Sequence, residues 1–86
     1  MKTYVRSILQ EAACLDVSVD SLADRDDLYE AGLSSLGSVR VMMAIEEKFA
    51  IEIPAALITH DLFQSIESLA RTIAHLVPEE SLAPRI

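Results

Sequence analysis

Two adjacent serines, Ser34 and Ser35, are the residues whose type and position most clearly indicate chemistry. They follow an acidic stretch that turns at Gly32, and apolar residues with helical spacing begin directly after them. A serine in the first turn of a helix lies beside unpaired backbone N–H groups and the positive end of the helix dipole. Both favour a phosphate attached to its oxygen. We therefore expect the function to reside at this turn.

Nucleophilic catalysis is a second use for such a serine, because residues 32–37 superficially resemble a nucleophile elbow. That motif needs a strand before the serine, with a histidine and an acid brought beside it. Here an acidic loop precedes the serines, and an unactivated hydroxyl is a poor nucleophile. We expect a protein that is not itself an enzyme.

The remaining candidate ligands do not form a metal-binding pattern. The acidic cluster 24–27 lacks the glycine and the spaced oxygen ligands of an EF-hand loop, which favours a solvated turn over a calcium site. His60 and His75 are separated by a predicted helix, and Cys14 is the single cysteine. We expect no metal site, and we interpret Cys14 as a packing residue at the end of the first helix.

The composition indicates one small helical domain. The chain has 86 residues, of which 51% are hydrophobic but only 5% aromatic, so its core must be aliphatic. A net charge of -7 disfavours nucleic acid and anionic membranes and suits partners with basic surfaces. The first residues are amphipathic, and they resemble neither a signal peptide nor a membrane span. We expect a cytoplasmic monomer.

The apolar spacing predicts an all-α fold with four helices. After a first helix over about 3–15, a long acidic connection places Leu22 and Leu28 in the core. The second helix runs over about 35–49, and a short third one follows Pro54 over about 55–59. Ser65 caps the last helix, which Pro78 ends. We expect a domain over 1–77 and a flexible tail over 78–86.

The second helix has two apolar faces. Met42, Ile45 and Phe49 share one of them, which we expect to lie in the core. Leu36 and Met43, flanked by Arg40 and Glu47, share the other, which we interpret as a docking face because exposed apolar residues rimmed by charge are typical of interfaces. The alternative is that Met43 belongs to a wide buried arc.

The serine turn and the second helix resemble the acyl carrier protein family. The similarity extends over nearly the whole chain and rests on a set of residues that includes the Glu-Ile-Pro sequence after the helix: Leu28, Gly32, Leu33, Ser35, Leu36, Val39, Met43, Ala44, Ile45, Glu46, Glu47, Phe49, Glu52, Ile53 and Pro54.

This resemblance implies a four-helix bundle in which Ser35 bears 4'-phosphopantetheine, added from coenzyme A by a phosphopantetheinyl transferase. It also implies that a cargo is held as a thioester and passed to a downstream acceptor enzyme. Ser34 lies where the family usually has Asp, and we expect it to cap the helix.

Three positions depart from the acidic pattern of fatty acid carriers, namely Ser34, Gly37 and Arg40. The sequence is instead similar to stand-alone aminoacyl carrier proteins in the patterns Gly-Leu-Ser-Ser, Ser-Val, Ile-Glu-Glu and Ile-Glu-Ile-Pro. This resemblance implies charging by an amino acid:carrier protein ligase. A fatty-acyl or polyketide-type carrier and an unmodified helical interaction module remain alternatives. For partner docking we name Ser34, Leu36, Gly37, Arg40, Met43 and Glu47.

Overall fold

The computed structural model describes residues 1–13 and 15–77, which fold into three α-helices. α1 spans Lys2–Ala12, α2 spans Ser35–Phe49 and α3 spans Ile66–Leu76. Single turns of 3-10 helix lie at Val19–Ser21, Ala55–Leu57 and Asp61–Phe63. The predicted all-α class is confirmed for these residues, which contain no strand. The predictions for Cys14, Pro78 and the tail over 78–86 lie outside them.

A largely aliphatic core fills the space between the helices, as the composition predicts, and Phe49 and Phe63 are its buried aromatic residues. α1 packs against both α2 and α3, so one apolar face of each helix is removed from water. The largest fully buried side chains come from all three helices and from the loop before α2: Val5, Leu9, Leu28, Val41, Ile45, Ile66, Leu69 and Ile73. Burial of these side chains is the main stabilising contribution to the fold.

Two helix predictions differ from the structure. α1 ends at Ala12 rather than near Leu15, because the Asp16 N–H turns away to donate to the Ala31 carbonyl at 2.9 Å. The short third helix predicted over 55–59 is a single 3-10 turn, in which the Leu57 N–H donates to the Pro54 carbonyl. The described residues thus contain three α-helices rather than four.

The connection between α1 and α2 is held to the bundle at Asp24. Its carboxylate accepts a hydrogen bond from Arg6 at 2.7 Å and forms an ion pair with Lys2 at 3.1 Å. Its carbonyl accepts from the Glu67 N–H at 2.9 Å, at the start of α3. Hydrogen bonds from Arg6 and then Lys2 are the main causes that hold the pKa of the Asp24 carboxyl below its ordinary value of 3.8. This residue therefore joins the loop to both α1 and α3.

Asp24→Asn is expected to lower the thermal midpoint at neutral pH and to change its acid dependence. Because the pKa of Asp24 is lowered on folding, its carboxylate stabilises the fold above pH 3.8, and this contribution is lost as the pH falls through the lower, folded-state pKa. Thermal midpoints are measured by circular dichroism over a pH series. The difference in midpoint between wild type and variant should be largest near neutral pH and should vanish in acid.

Arg25→Gln is the control for this experiment. It breaks the ion pair with Glu67, in which the Arg25 side chain is 84% exposed, and such pairs add little stability. Identical thermal midpoints of wild type and Asp24→Asn at neutral pH would contradict the stabilising role of the Asp24 carboxylate.

Candidate functional site

The serine turn is positioned by a buried leucine and a left-handed glycine. Leu28 is fully buried; its N–H donates to the Gln64 carbonyl at 2.7 Å, and its carbonyl accepts from the Leu33 N–H at 3.0 Å. Gly32 has a φ of 106°, and a Cβ there would lie 2.5 Å from the Asp16 carboxylate. Only glycine adopts this conformation without strain. The loop thus reaches Ser34 in a fixed orientation.

Ser34 caps α2, as predicted. Its Oγ accepts a hydrogen bond from the Gly37 N–H at 3.0 Å, while its carbonyl accepts from the Ser38 N–H at 2.9 Å and the Ser38 hydroxyl at 3.0 Å. The cap satisfies one of the N–H groups that a helix start leaves unpaired. The local sequence therefore decides where this helix begins.

Ser35 is the first residue of α2 and is exposed. No acidic residue lies in the first turn of the helix, so no carboxylate competes for the positive end of its dipole. An exposed hydroxyl at this position is accessible to a modifying enzyme, and a phosphate on its oxygen would lie in a favourable field. The residues of this turn therefore fit a phosphate-linked prosthetic group.

The predicted docking face of α2 is exposed. Leu36 and Met43 are 62% and 61% exposed, and Arg40 and Glu47 are exposed beside them, so the alternative that Met43 is buried is wrong. Val39, which is 46% exposed, continues the apolar stripe and was omitted from the predicted docking residues. Its position three residues after Leu36 was the signal that could have included it.

Gly37 faces the interior instead. It is buried, and a Cβ built on it would lie 2.8 Å from the Ala13 carbonyl oxygen and 3.2 Å from Leu33 Cδ1. The residue allows α2 to approach the end of α1 closely. It is thus separated from the exposed face formed by the other docking candidates.

An open groove of about 510 Å³, here called the serine groove, borders Ser35. One side is formed by the loop before α2 and by the helix start, with Tyr29, Leu33, Ser34, Ser35 and Ser38. The other side is formed by Ile58, Thr59, His60 and Phe63. Sequence reasoning missed this groove because its two sides are distant in the chain and carry no local motif. Hydroxyl-bearing residues account for much of its lining.

The acidic loop uses its carboxylates internally. Asp26 accepts from the Ala23 N–H at 2.8 Å, and Asp27 accepts from the Tyr29 N–H at 2.9 Å, which are typical contacts of aspartate in turns. Within residues 1–13 and 15–77, no group of three or more His, Cys, Asp or Glu side chains is arranged to hold a metal ion. In the same residues, no helix has the length and apolar character needed to cross a membrane.

Comparison with known proteins gives the family directly. Residues 3–73 match the family described as the phosphopantetheine attachment site. The chain belongs to this family. The expected resemblance to acyl carrier proteins is thereby confirmed, and 4'-phosphopantetheine is the prosthetic group that defines the family. The match extends from α1 into α3, so it includes the serine turn and the docking face.

Relatives to which the chain is similar include aminoacyl carrier proteins. The chain is 44% identical to one from Agrobacterium fabrum over 73 residues, which are 85% of this chain and 88% of the relative. It is 36% identical to aminoacyl carrier protein 2 from Bradyrhizobium diazoefficiens over 71 residues, 83% of this chain and 75% of that one. The predicted similarity to the aminoacyl type is confirmed.

Solved structures agree with this assignment. A carrier protein from Agrobacterium tumefaciens, in complex with an engineered Bradyrhizobium japonicum glycine:[carrier protein] ligase and AMP, superposes with a TM-score of 0.82 at 43% identity. That match covers 86% of this chain and 99% of the carrier. A glycylated carrier protein bound to the Bradyrhizobium japonicum ligase gives a TM-score of 0.71 at 27% identity, covering 83% of this chain and 95% of that one.

Gly37→Ala is expected to lower stability, although alanine is ordinarily the better residue inside a helix by about 0.5–1 kcal/mol. The added methyl would lie 2.8 Å from the Ala13 carbonyl oxygen, so α1 and α2 must separate. Thermal or urea unfolding measures the effect. Ser38→Ala, one position along the helix, is a control without this clash, and a Gly37→Ala protein more stable than wild type would contradict the packing argument.

Proposed function

We propose that this protein carries an aminoacyl group as a thioester on 4'-phosphopantetheine attached to Ser35. The observation that carries the assignment is the exposed position of Ser35 in the first turn of α2, directly after the Ser34 cap. The attached group supplies a flexible thiol that holds the cargo. Ser34 fixes the helix start, Ser35 provides the oxygen, and the acid-free first turn accepts the phosphate charge.

The partners follow from this role. A phosphopantetheinyl transferase modifies Ser35, an amino acid:carrier protein ligase charges the holo protein, and a downstream enzyme accepts the cargo. The similar solved structures support the ligase, since in three of them the carrier protein is in complex with a glycine:[carrier protein] ligase. The protein itself supplies no catalytic groups to these reactions. We also propose that it acts as a cytoplasmic monomer. In its fold, the 3-10 turn Ala55–Leu57 takes the place of a short third helix.

The docking surface that we propose consists of the exposed face of α2. Leu36, Val39 and Met43 supply apolar area, and Arg40 and Glu47 supply charge at its edge. Ser34 lies at the end of this face, where partners reach Ser35. Because Gly37 is buried, the difference in charge from fatty acid carriers at the surface rests on Ser34 and Arg40. A cation at this face selects for different partner surfaces from those that bind an acidic helix.

Ser35→Ala is expected to abolish attachment of the prosthetic group. Apo protein is incubated with coenzyme A, Mg²⁺ and a broad-specificity phosphopantetheinyl transferase, and intact mass is measured. Wild type should gain one group and Ser35→Ala none, because the Ser35 hydroxyl provides the oxygen to which the group is attached.

Substitutions at Ser34 are the matched controls. Ser34→Asp retains a capping side chain and should be modified with unchanged stability, whereas Ser34→Ala should be modified but lose about 1 kcal/mol of stability. Mass gain in Ser35→Ala would refute the attachment site. A wild type that stays unmodified would favour the unmodified interaction module, and charging only by an acyl-acyl carrier protein synthetase would favour fatty-acyl cargo.

Arg40→Glu is expected to raise the KM of the ligase for the holo carrier about fivefold, which corresponds to a loss of about 1 kcal/mol at an interface. Steady-state charging by an amino acid:carrier protein ligase that is active on the wild type measures the effect. Arg71→Glu makes the same change of charge at an exposed position of α3 and should leave KM unchanged. Equal KM values for the two variants would remove α2 as the docking face.

A further inference from the structure

Tyr29 and His60 join the two sides of the serine groove, although they are 31 residues apart in the chain. Their rings are stacked with centroids 4.2 Å apart and planes inclined by 15°. The Tyr29 hydroxyl also donates a hydrogen bond to the His60 carbonyl at 2.8 Å. One residue pair therefore makes both a ring contact and a hydrogen bond across the groove that borders Ser35.

The segment that carries His60 depends on such a contact for its position. Residues 54–61 are exposed, and the backbone hydrogen bonds around them are local, such as those from Leu57 to Pro54 and from Leu62 to Thr59. Buried residues fix the two ends of the segment, Ile53 before it and Leu62 and Phe63 after it, and leave the middle without a buried side chain. The Tyr29 hydroxyl ties it to a distant part of the molecule, the loop that leads into α2.

Tyr29 is itself held in place. Its N–H donates to the Asp27 carboxylate at 2.9 Å, and the neighbouring Leu28 is fully buried. Burial, followed by the charges of Asp27 and Asp61, raises the pKa of the Tyr29 phenol above 10. The phenol therefore stays protonated and able to donate over the whole neutral and mildly alkaline range. The pair is thus anchored on the Tyr29 side, and the His60 side is the part that it positions.

We propose that Tyr29 and His60 are positioning residues for modification of Ser35, holding residues 58–60 across the groove from the start of α2 so that the phosphopantetheinyl transferase meets a preformed surface. This proposal rests on the function proposed above. Both residues line the groove beside Ser35, and their role is to hold its two sides in place. A preformed surface lowers the entropic cost of docking, so loss of the pair weakens productive binding rather than the chemical step.

The test uses four single variants and the double variant Tyr29→Leu/His60→Ala of the full chain. Tyr29→Leu and His60→Ala remove the ring stack, whereas His60→Phe keeps a stacked ring and the backbone carbonyl. Tyr29→Phe keeps the stack and removes only the hydroxyl. Initial rates of Ser35 modification by the phosphopantetheinyl transferase are measured against carrier concentration, at a temperature where circular dichroism shows every variant folded.

Tyr29→Leu and His60→Ala should each raise KM for the carrier about three- to tenfold, within the range that an aromatic pair can supply, and leave kcat within about twofold. His60→Phe should restore KM to near wild type, and Tyr29→Phe should be intermediate. The double variant Tyr29→Leu/His60→Ala should have the same KM as Tyr29→Leu, because that single change already removes both the ring stack and the hydroxyl. In ¹⁵N spectra, the amides of Ser35 and Ser38 should shift in Tyr29→Leu.

Wild-type KM in Tyr29→Leu and His60→Ala would overturn the proposal, as would losses that add in the double variant. Failure of the carrier function itself is distinguishable, because wild-type protein would then gain no mass at all.

Discussion

Burial of Leu28 is the contact on which the geometry of the serine turn depends. The side chain is fully enclosed in the core, and its N–H donates a hydrogen bond to Gln64 in the segment before α3. Its carbonyl accepts a hydrogen bond from Leu33, where the chain turns towards α2. Val19 and Leu33 of the same loop are also buried, and a loop held to the core at several positions is less mobile than one with an exposed backbone. With these anchors, and with Asp24 tied to α1, the loop becomes a support for the helix start rather than a simple linker.

This support separates two tasks within a few residues. Leu33 and Gly37 face inward and let α2 approach the end of α1, while Ser35 and Leu36 face outward at the same turn. Successive side chains of a helix point about 100° apart, so the positions of a single turn necessarily include some that face the core and some that face the surface. The modified residue can thus be exposed without weakening the packing that places it.

Polar and apolar surfaces are also divided around Ser35. The exposed face of α2 presents Leu36, Val39 and Met43, which is suited to burial against a protein partner. The serine groove on the other side is rich in hydroxyl groups and is bridged by the stacked Tyr29 and His60 rings. A carrier must release its partners after each transfer, and a small apolar stripe with a polar margin is compatible with contacts that are specific but transient.

Sequence alone determined the features that depend on local spacing. Periodicity predicts the bounds of α2 and the outward direction of Leu36 and Met43. Cap chemistry predicts the caps at Ser34 and Ser65, and an apolar residue in a polar loop predicts the burial of Leu28. The family resemblance rests on the same local pattern.

Tertiary structure alone decided the features that depend on contacts between distant segments. Gly37 is a packing residue because the Ala13 carbonyl lies against it, and α1 ends early because Asp16 bonds to Ala31. The predicted third helix shortens to one 3-10 turn, and Tyr29 meets His60 only after the chain has folded. Local propensity specifies how each segment begins and which face is apolar, but the competing hydrogen bonds and close approaches that modify it come from residues far away in the sequence.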